Sequence, residues 1–138
     1  MEIKNLTVLQ AKRYGVFTCL ASDTLGHVAI EMFQRDVSAL VVVDTNGFLE
    51  GIITRTDLVR AVALEAEWRE QLVSSAMTVD VVTIGMDDSL GLVIELLLQE
   101  HIHRVVAVEE EAGRLRPVAV LSAADIIFHM AQAAKREG

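Results

Sequence analysis

The sequence predicts an α+β fold of two β-α-β-β-α repeats, packed sheet to sheet with pseudo-two-fold symmetry. Three observations lead there. The chain matches itself at an offset of 65 residues. Each copy alternates short β-branched runs with amphipathic helical stripes. Its 138 residues are 52% hydrophobic but only 4% aromatic, so an aliphatic core of domain size can form.

In the first strand of each copy, Val16-Phe17-Thr18-Cys19 falls on Val81-Val82-Thr83-Ile84. A helix follows, in which Leu25, Val28, Ala29, Met32 and Phe33 fall on Leu90, Val93, Ile94, Leu97 and Leu98. Both sets run i, i+3, i+4, i+7, i+8, one face of an amphipathic helix. Asp23 and Ser89, or a neighbour, are the expected N-caps. The next strand is Leu40-Val41-Val42-Val43, matched by Val105-Val106-Ala107-Val108. Asn46-Gly47 then marks a hairpin. Beyond it the offset grows to 68, with the extra residues around Glu110 to Arg116, where a turn tolerates insertion. The last strand of each copy leads into a second helix, with Thr54 and Ser122 as N-caps. Ala61 to Trp68 should extend the first of these helices. The Ala-rich tail should extend the other to about Ala134, where Lys135 and Arg136 suit its negative end.

The expected boundaries are 1–15 for an arm or short helix, 16–68 for the first copy, 69–80 for a linker and 81–138 for the second copy. A sheet of about three strands cannot bury its apolar face alone. Two copies pairing through their sheets would create related clefts at the seam, where small-molecule sites tend to form.

Composition narrows the function. The net charge is −8. Residues 1–69 carry 7 basic and 9 acidic groups and residues 70–138 carry 5 and 11, so neither half offers the basic surface that nucleic acid or an anionic membrane needs. No apolar run approaches the roughly 18 residues of a spanning helix. No secretory signal opens the chain. The single cysteine, Cys19, lies in an apolar run and reads as a small buried hydrophobe. A reducing, cytoplasmic setting fits.

Gly51-Ile52-Ile53-Thr54-Arg55-Thr56-Asp57-Leu58 and Asp36 to Asp44 resemble the CBS motif, the repeat first named after cystathionine beta-synthase. Ile102 to Val108 and Ser122-Ala123-Ala124-Asp125 resemble it at the same places of the second copy. The resemblance runs from about Val16 to Ile127, and two copies in register make a Bateman module. It implies a homodimer, and a regulatory sensor that binds an adenine nucleotide (AMP, ADP or ATP) or another adenosyl ligand between the motifs. Signalling would then act in trans on an unidentified protein partner, or through the oligomer.

The residues can supply what a nucleotide needs. Asp57 and Asp125 follow Thr54 and Ser122 by three residues, in the first turn of a helix. A carboxylate there can accept both hydroxyls of a ribose, the role the family gives this aspartate. Thr54 and Ser122 could meet phosphate beside the helix N-terminus. The same spacing also resembles a capping box, and a repeat would copy a cap as readily as a site. His103 and Arg104 offer basic donors before the second-copy strand, where the first copy has Ser38 and Ala39. A relative with a similar asymmetry has crossed clefts; on that pattern Asp57 shares a cleft with Arg104, and Asp125 and Ser122 share the other with Ser38, Ala39 and His103. Ala119 stands where Gly51 does, a further departure. A base slot would draw on Val16 to Cys19, Val81 to Ile84, Ile52, Ile53, Val120 and Leu121, most of which read as core.

Catalysis is not expected. Cys19 has no evident histidine partner, Ser122 lacks a nucleophile-elbow frame, and no phosphate-binding glycine loop is present. No metal-ligand spacing occurs; Mg²⁺ would arrive only with nucleotide phosphates. The alternative is a non-catalytic dimerisation or protein-interaction module without a small-molecule ligand.

Overall fold

The computed structural model describes residues 2–137. Its elements in chain order are α1 (Val8–Ala11), β1 (Thr18–Leu20), α2 (Leu25–Arg35), β2 (Ala39–Val43), β3 (Leu49–Thr54), α3 (Arg55–Leu64), β4 (Thr83–Gly85), α4 (Leu90–Gln99), β5 (Arg104–Glu111), β6 (Arg114–Ser122) and α5 (Ala123–Glu137). Short 3-10 turns occur at Ile3–Asn5, Trp68–Glu70 and Val73–Ser75. The expected α+β repeat is present as two three-stranded sheets, β1-β2-β3 and β4-β5-β6. In each the first pair is parallel and the second antiparallel. The chain divides into two compact units, residues 16–81 and, among those described, 2–15 with 82–137.

In the unit of residues 16–81, β2 reads as a continuous apolar run because both of its faces are buried. Leu40 and Val42 point to the side of Leu25, Val28 and Met32 from α2, with Cys19, Ile53 and Ala61 completing that core. Leu25 is wholly buried, and removing such a side chain from water contributes about 1.5–3 kcal/mol. Thr24, not Asp23, is the N-cap of α2, its hydroxyl accepting from the His27 N–H at 3.2 Å. Asp23 instead closes the preceding turn, accepting from the Leu20 N–H at 2.8 Å. Asp88 does the same for Gly85, leaving Ser89 to cap α4.

The helix expected to reach Trp68 stops at Leu64, where Glu65 turns to extended backbone. The chain has to double back there. The Gln71 carbonyl accepts from the Leu25 N–H, Val73 enters the core, and its N–H donates to the Asp23 carbonyl. Ile52 and Thr78 then exchange two main-chain hydrogen bonds of 2.9 Å. Gly51 permits that approach, since a Cβ there would lie 2.7 Å from the Thr78 carbonyl oxygen.

The second unit repeats this docking with residues from the other end of the chain. Leu90 N–H donates to the Leu6 carbonyl at 2.7 Å, and Val8 N–H to the Asp88 carbonyl at 2.8 Å. Shifted by 65, these are the bonds that Gln71 and Val73 make. Val8 and Ala11 join Ile84, Leu90, Val93, Val105, Ala107, Ala119 and Leu121 in the core. The β5–β6 hairpin is longer than its counterpart and turns at Ala112-Gly113, both at positive φ, as a two-residue primed turn requires. Helix α5 runs to Glu137, three residues past the expected end.

Candidate functional site

Each unit brings the start of its middle strand to the start of its last helix. In residues 16–81, Ala39 pairs with Thr54, and the Arg55 N–H donates to the Ser38 carbonyl at 3.1 Å. Ser38, Ala39, Thr54 and Asp57 therefore gather at one end of the sheet. In the other unit Arg104 pairs with Ser122, which gathers exposed His103, half-buried Arg104, Ser122 and Asp125 in the same way.

Asp57 and Asp125 are the two buried charged side chains among the described residues. Both close the helix start. Asp57 Oδ2 accepts from the Thr54 N–H at 2.9 Å and the Thr54 hydroxyl at 3.1 Å, and the Asp57 N–H donates back to Thr54 Oγ1 at 3.3 Å. That is a complete capping box, with Asp where Glu or Gln is usual. Asp125 Oδ2 accepts from the Ser122 N–H at 2.8 Å, but Ser122 Oγ accepts from the Ala124 N–H. The cap and the candidate site thus use the same carboxylates, each through one oxygen.

The second oxygen separates the two copies. Asp57 Oδ1 accepts from Arg60 Nη1 at 3.2 Å, one turn along the same helix, and that arginine is 61% exposed. A cleft of about 370 Å³ opens beside it, lined by Asp57, Arg60, Ala61, Leu64, Gln71 and Ser75 among others. Asp125 Oδ1 accepts from Arg13 Nε at 2.8 Å, and Arg13 is only 24% exposed. Its guanidinium lies over the rings of Phe128 and Tyr14, 4.9 and 5.0 Å from their centroids. Sequence reading passed over Arg13 because residues 1–15 stood outside the repeat. Continuing the 65-residue shift would have placed Val8 on Val73 and Ala11 on Ala76, exposing the arm as part of it.

Strand alternation sorts the base-slot candidates. Cys19, Ile53, Ile84 and Leu121 face the helices and belong to the cores. Ile52 and Val120 lie on the opposite strand faces. Burial pushes the Cys19 thiol up to about 12, with Asp23 adding to the effect, so it is an inert thiol at neutral pH. Among the described residues no three His, Cys, Asp or Glu side chains converge as metal ligands. No helix is long and apolar enough to cross a membrane.

This geometry matches a known family. The CBS domain matches residues 11–64 and 73–132; the chain belongs to the CBS domain family and carries two copies in tandem. CBS domains are generally regulatory, non-catalytic modules. Uncharacterized protein MJ1404 of Methanocaldococcus jannaschii is 31% identical over 110 residues, 79% of this chain and 25% of that protein. The 5'-AMP-activated protein kinase subunit gamma of Kluyveromyces lactis is 39% identical over 46 residues, 33% of this chain and 14% of the subunit. The chain thus spans a quarter or less of the length of these two relatives. Among solved structures, the CBS domain pair of protein MJ0100, in complex with 5-methylthioadenosine and S-adenosyl-L-methionine, superposes with a TM-score of 0.83 at 22% identity, covering 94% of this chain and 98% of that one.

Proposed function

We propose that this chain is a sensor module that binds an adenine nucleotide or another adenosyl ligand and signals in trans by conformational or oligomeric change. The observation that carries the reading is Asp57: a buried carboxylate beside an open cleft, with one oxygen engaged only by an exposed arginine. A ribose diol donates two O–H bonds, and that carboxylate is the acceptor it needs. The adenosyl ligands named for the MJ0100 pair, and the similarity to a kinase gamma subunit, support the same class. Thr54, Asp57, Ser38 and Ala39 are the proposed ligand contacts contributed by the first copy. His103, Arg104, Ser122 and Asp125 are the corresponding set in the second copy. Mg²⁺ would enter only with nucleotide phosphates. The proposed setting is the cytoplasm.

A second reading, a dimerisation module without ligand, has one observation in its favour: both carboxylates are already satisfied as helix caps. A homodimer is proposed under either reading. Phe33 and Val59, strongly exposed beside a groove between α2 and α3, would supply its apolar surface.

A thermal-shift screen separates the two. The panel is AMP, ADP, ATP with and without Mg²⁺ and S-adenosylmethionine, with GTP as control. At 100 times its dissociation constant a ligand adds about 2.7 kcal/mol to folding stability, so the melting temperature should rise and Asp57→Asn should abolish the rise. No shift with any member, in protein free of copurified nucleotide, would leave the dimerisation module.

A further inference from the structure

We propose that Arg13 is a built-in clasp that closes the second-copy site, so that one chain binds a single adenosyl ligand, at Asp57, until the clasp is released. The inference rests on the sensor reading and adds to it a difference between the two copies and a residue that controls it.

A ribose diol needs free acceptor capacity on the carboxylate. Both aspartates have both oxygens engaged and differ in the partner: at Asp125 Oδ2 accepts from the Ser122 main chain and Oδ1 from part-buried Arg13, so a diol there would have to displace that guanidinium. The bond to Arg13 is charge-assisted, and at 2.8 Å it has the length of a strong one. The guanidinium also lies over two aromatic rings, Phe128 of α5 and Tyr14 next to it in sequence. The arm itself is anchored. Val8 and Ala11 are fully buried, and the Ala11 carbonyl lies 2.7 Å from His129 Nε2. For a diol to reach Asp125, the arginine side chain must leave a carboxylate and two rings together, while its main chain stays docked.

Asp57 has no such obstacle. Its arginine comes from its own helix, contacts by a terminal nitrogen at 3.2 Å and is mostly solvated. Such an i,i+3 pair is weak and can swing aside toward a ligand phosphate. The residue that the 65-residue shift places on Arg13 is Thr78, which carries no charge and is tied by its main chain to Ile52. The clasp is therefore particular to one copy.

Isothermal titration calorimetry of the full chain with AMP, ATP and S-adenosylmethionine as probes tests it. Wild type is expected to bind one equivalent per chain, lost in Asp57→Asn. Arg13→Gln is expected to bind two, and Arg13→Gln with Asp125→Asn to return to one. Arg13→Lys keeps the charge and is expected to stay at one. Should Arg13→Gln fail to fold by circular dichroism, Phe128→Leu weakens the clasp from an exposed position and should reveal a second, weaker equivalent. Two equivalents in wild type, or one in both folded Arg13→Gln and Phe128→Leu, overturns the clasp and leaves the sensor reading standing. No binding by wild type or by any variant overturns both.

Discussion

In the unit of residues 16–81 the docking segment meets the sheet by main chain, through the Ile52–Thr78 bridge. In the unit of residues 2–15 with 82–137 the equivalent segment meets the last helix by side chain, through Arg13 and Asp125. The two segments make the same bonds up to that point. Gly51 lets the Thr78 carbonyl come close. Ala119 stands at the matching place and is wholly buried in the core of its unit. The two units thus differ in what holds the second carboxylate oxygen, an exposed Arg60 in one and a part-buried Arg13 in the other. Duplicated sequence preserves the scaffold far better than it preserves the chemistry at its end.

Four measurements would break or sharpen this comparison. The largest effect should come from the shared scaffold. Leu25→Ala and Leu90→Ala, at matching and wholly buried positions, should each cost about 2–5 kcal/mol in urea unfolding. A clear inequality between them would mean that the two cores are not built alike.

The arginines should differ. Arg13→Ala removes a part-buried charge-assisted bond and should cost about 1.5–3 kcal/mol, whereas Arg60→Ala breaks an exposed helix pair worth about 0.2–0.5 kcal/mol. Equal losses in chemical denaturation would erase the distinction between clasped and open carboxylates.

The small residues should behave asymmetrically. Gly51→Ala forces its Cβ against the Thr78 carbonyl and should cost about 1–3 kcal/mol. Ala119→Gly forfeits a methyl group and some backbone restriction, for about 0.5–1 kcal/mol. If thermal melts show Gly51→Ala to be neutral, the close approach is not what fixes the route of residues 76–81.

Cys19 and Ile84 occupy matching core positions, and only the first can ionise. The folded thiol is raised from 9.0 to about 12, so the folded state disfavours the thiolate. Its stabilising effect is complete below pH 9.0 and is lost as pH rises toward 12. Cys19→Val should leave stability at neutral pH nearly unchanged and remove an alkaline loss that wild type shows. Identical alkaline profiles would show that some other group controls it.

The repeat was legible because strand and helix periods are written in which residues are apolar. Val41 to Val43 and Leu25-Val28-Met32 need no partner information to be read. The sequence leaves the N-cap of α2 open between Asp23 and its neighbour because Asp23 and Thr24 are both good caps. Only the turn geometry shows that the aspartate serves the strand and the threonine the helix. The helix end at Leu64 was hidden for a similar reason. Ala61 to Trp68 has helical propensity throughout, and the need of Val73 for the core overrides it.

By itself, then, the sequence determined the two-fold repeat, the succession of strands and helices in each copy, the helix faces and the pair of aspartates three residues past a hydroxyl. All of these rest on contacts near in sequence or on periodicity. Tertiary structure decided which end of the chain docks on which unit, and hence that Arg13 meets Asp125 across 112 positions of sequence. No local pattern encodes that meeting. It depends on buried Val8 and Ala11 placing the arm, on Phe128 offering a ring face, and on a charge that is stable among them only when paired.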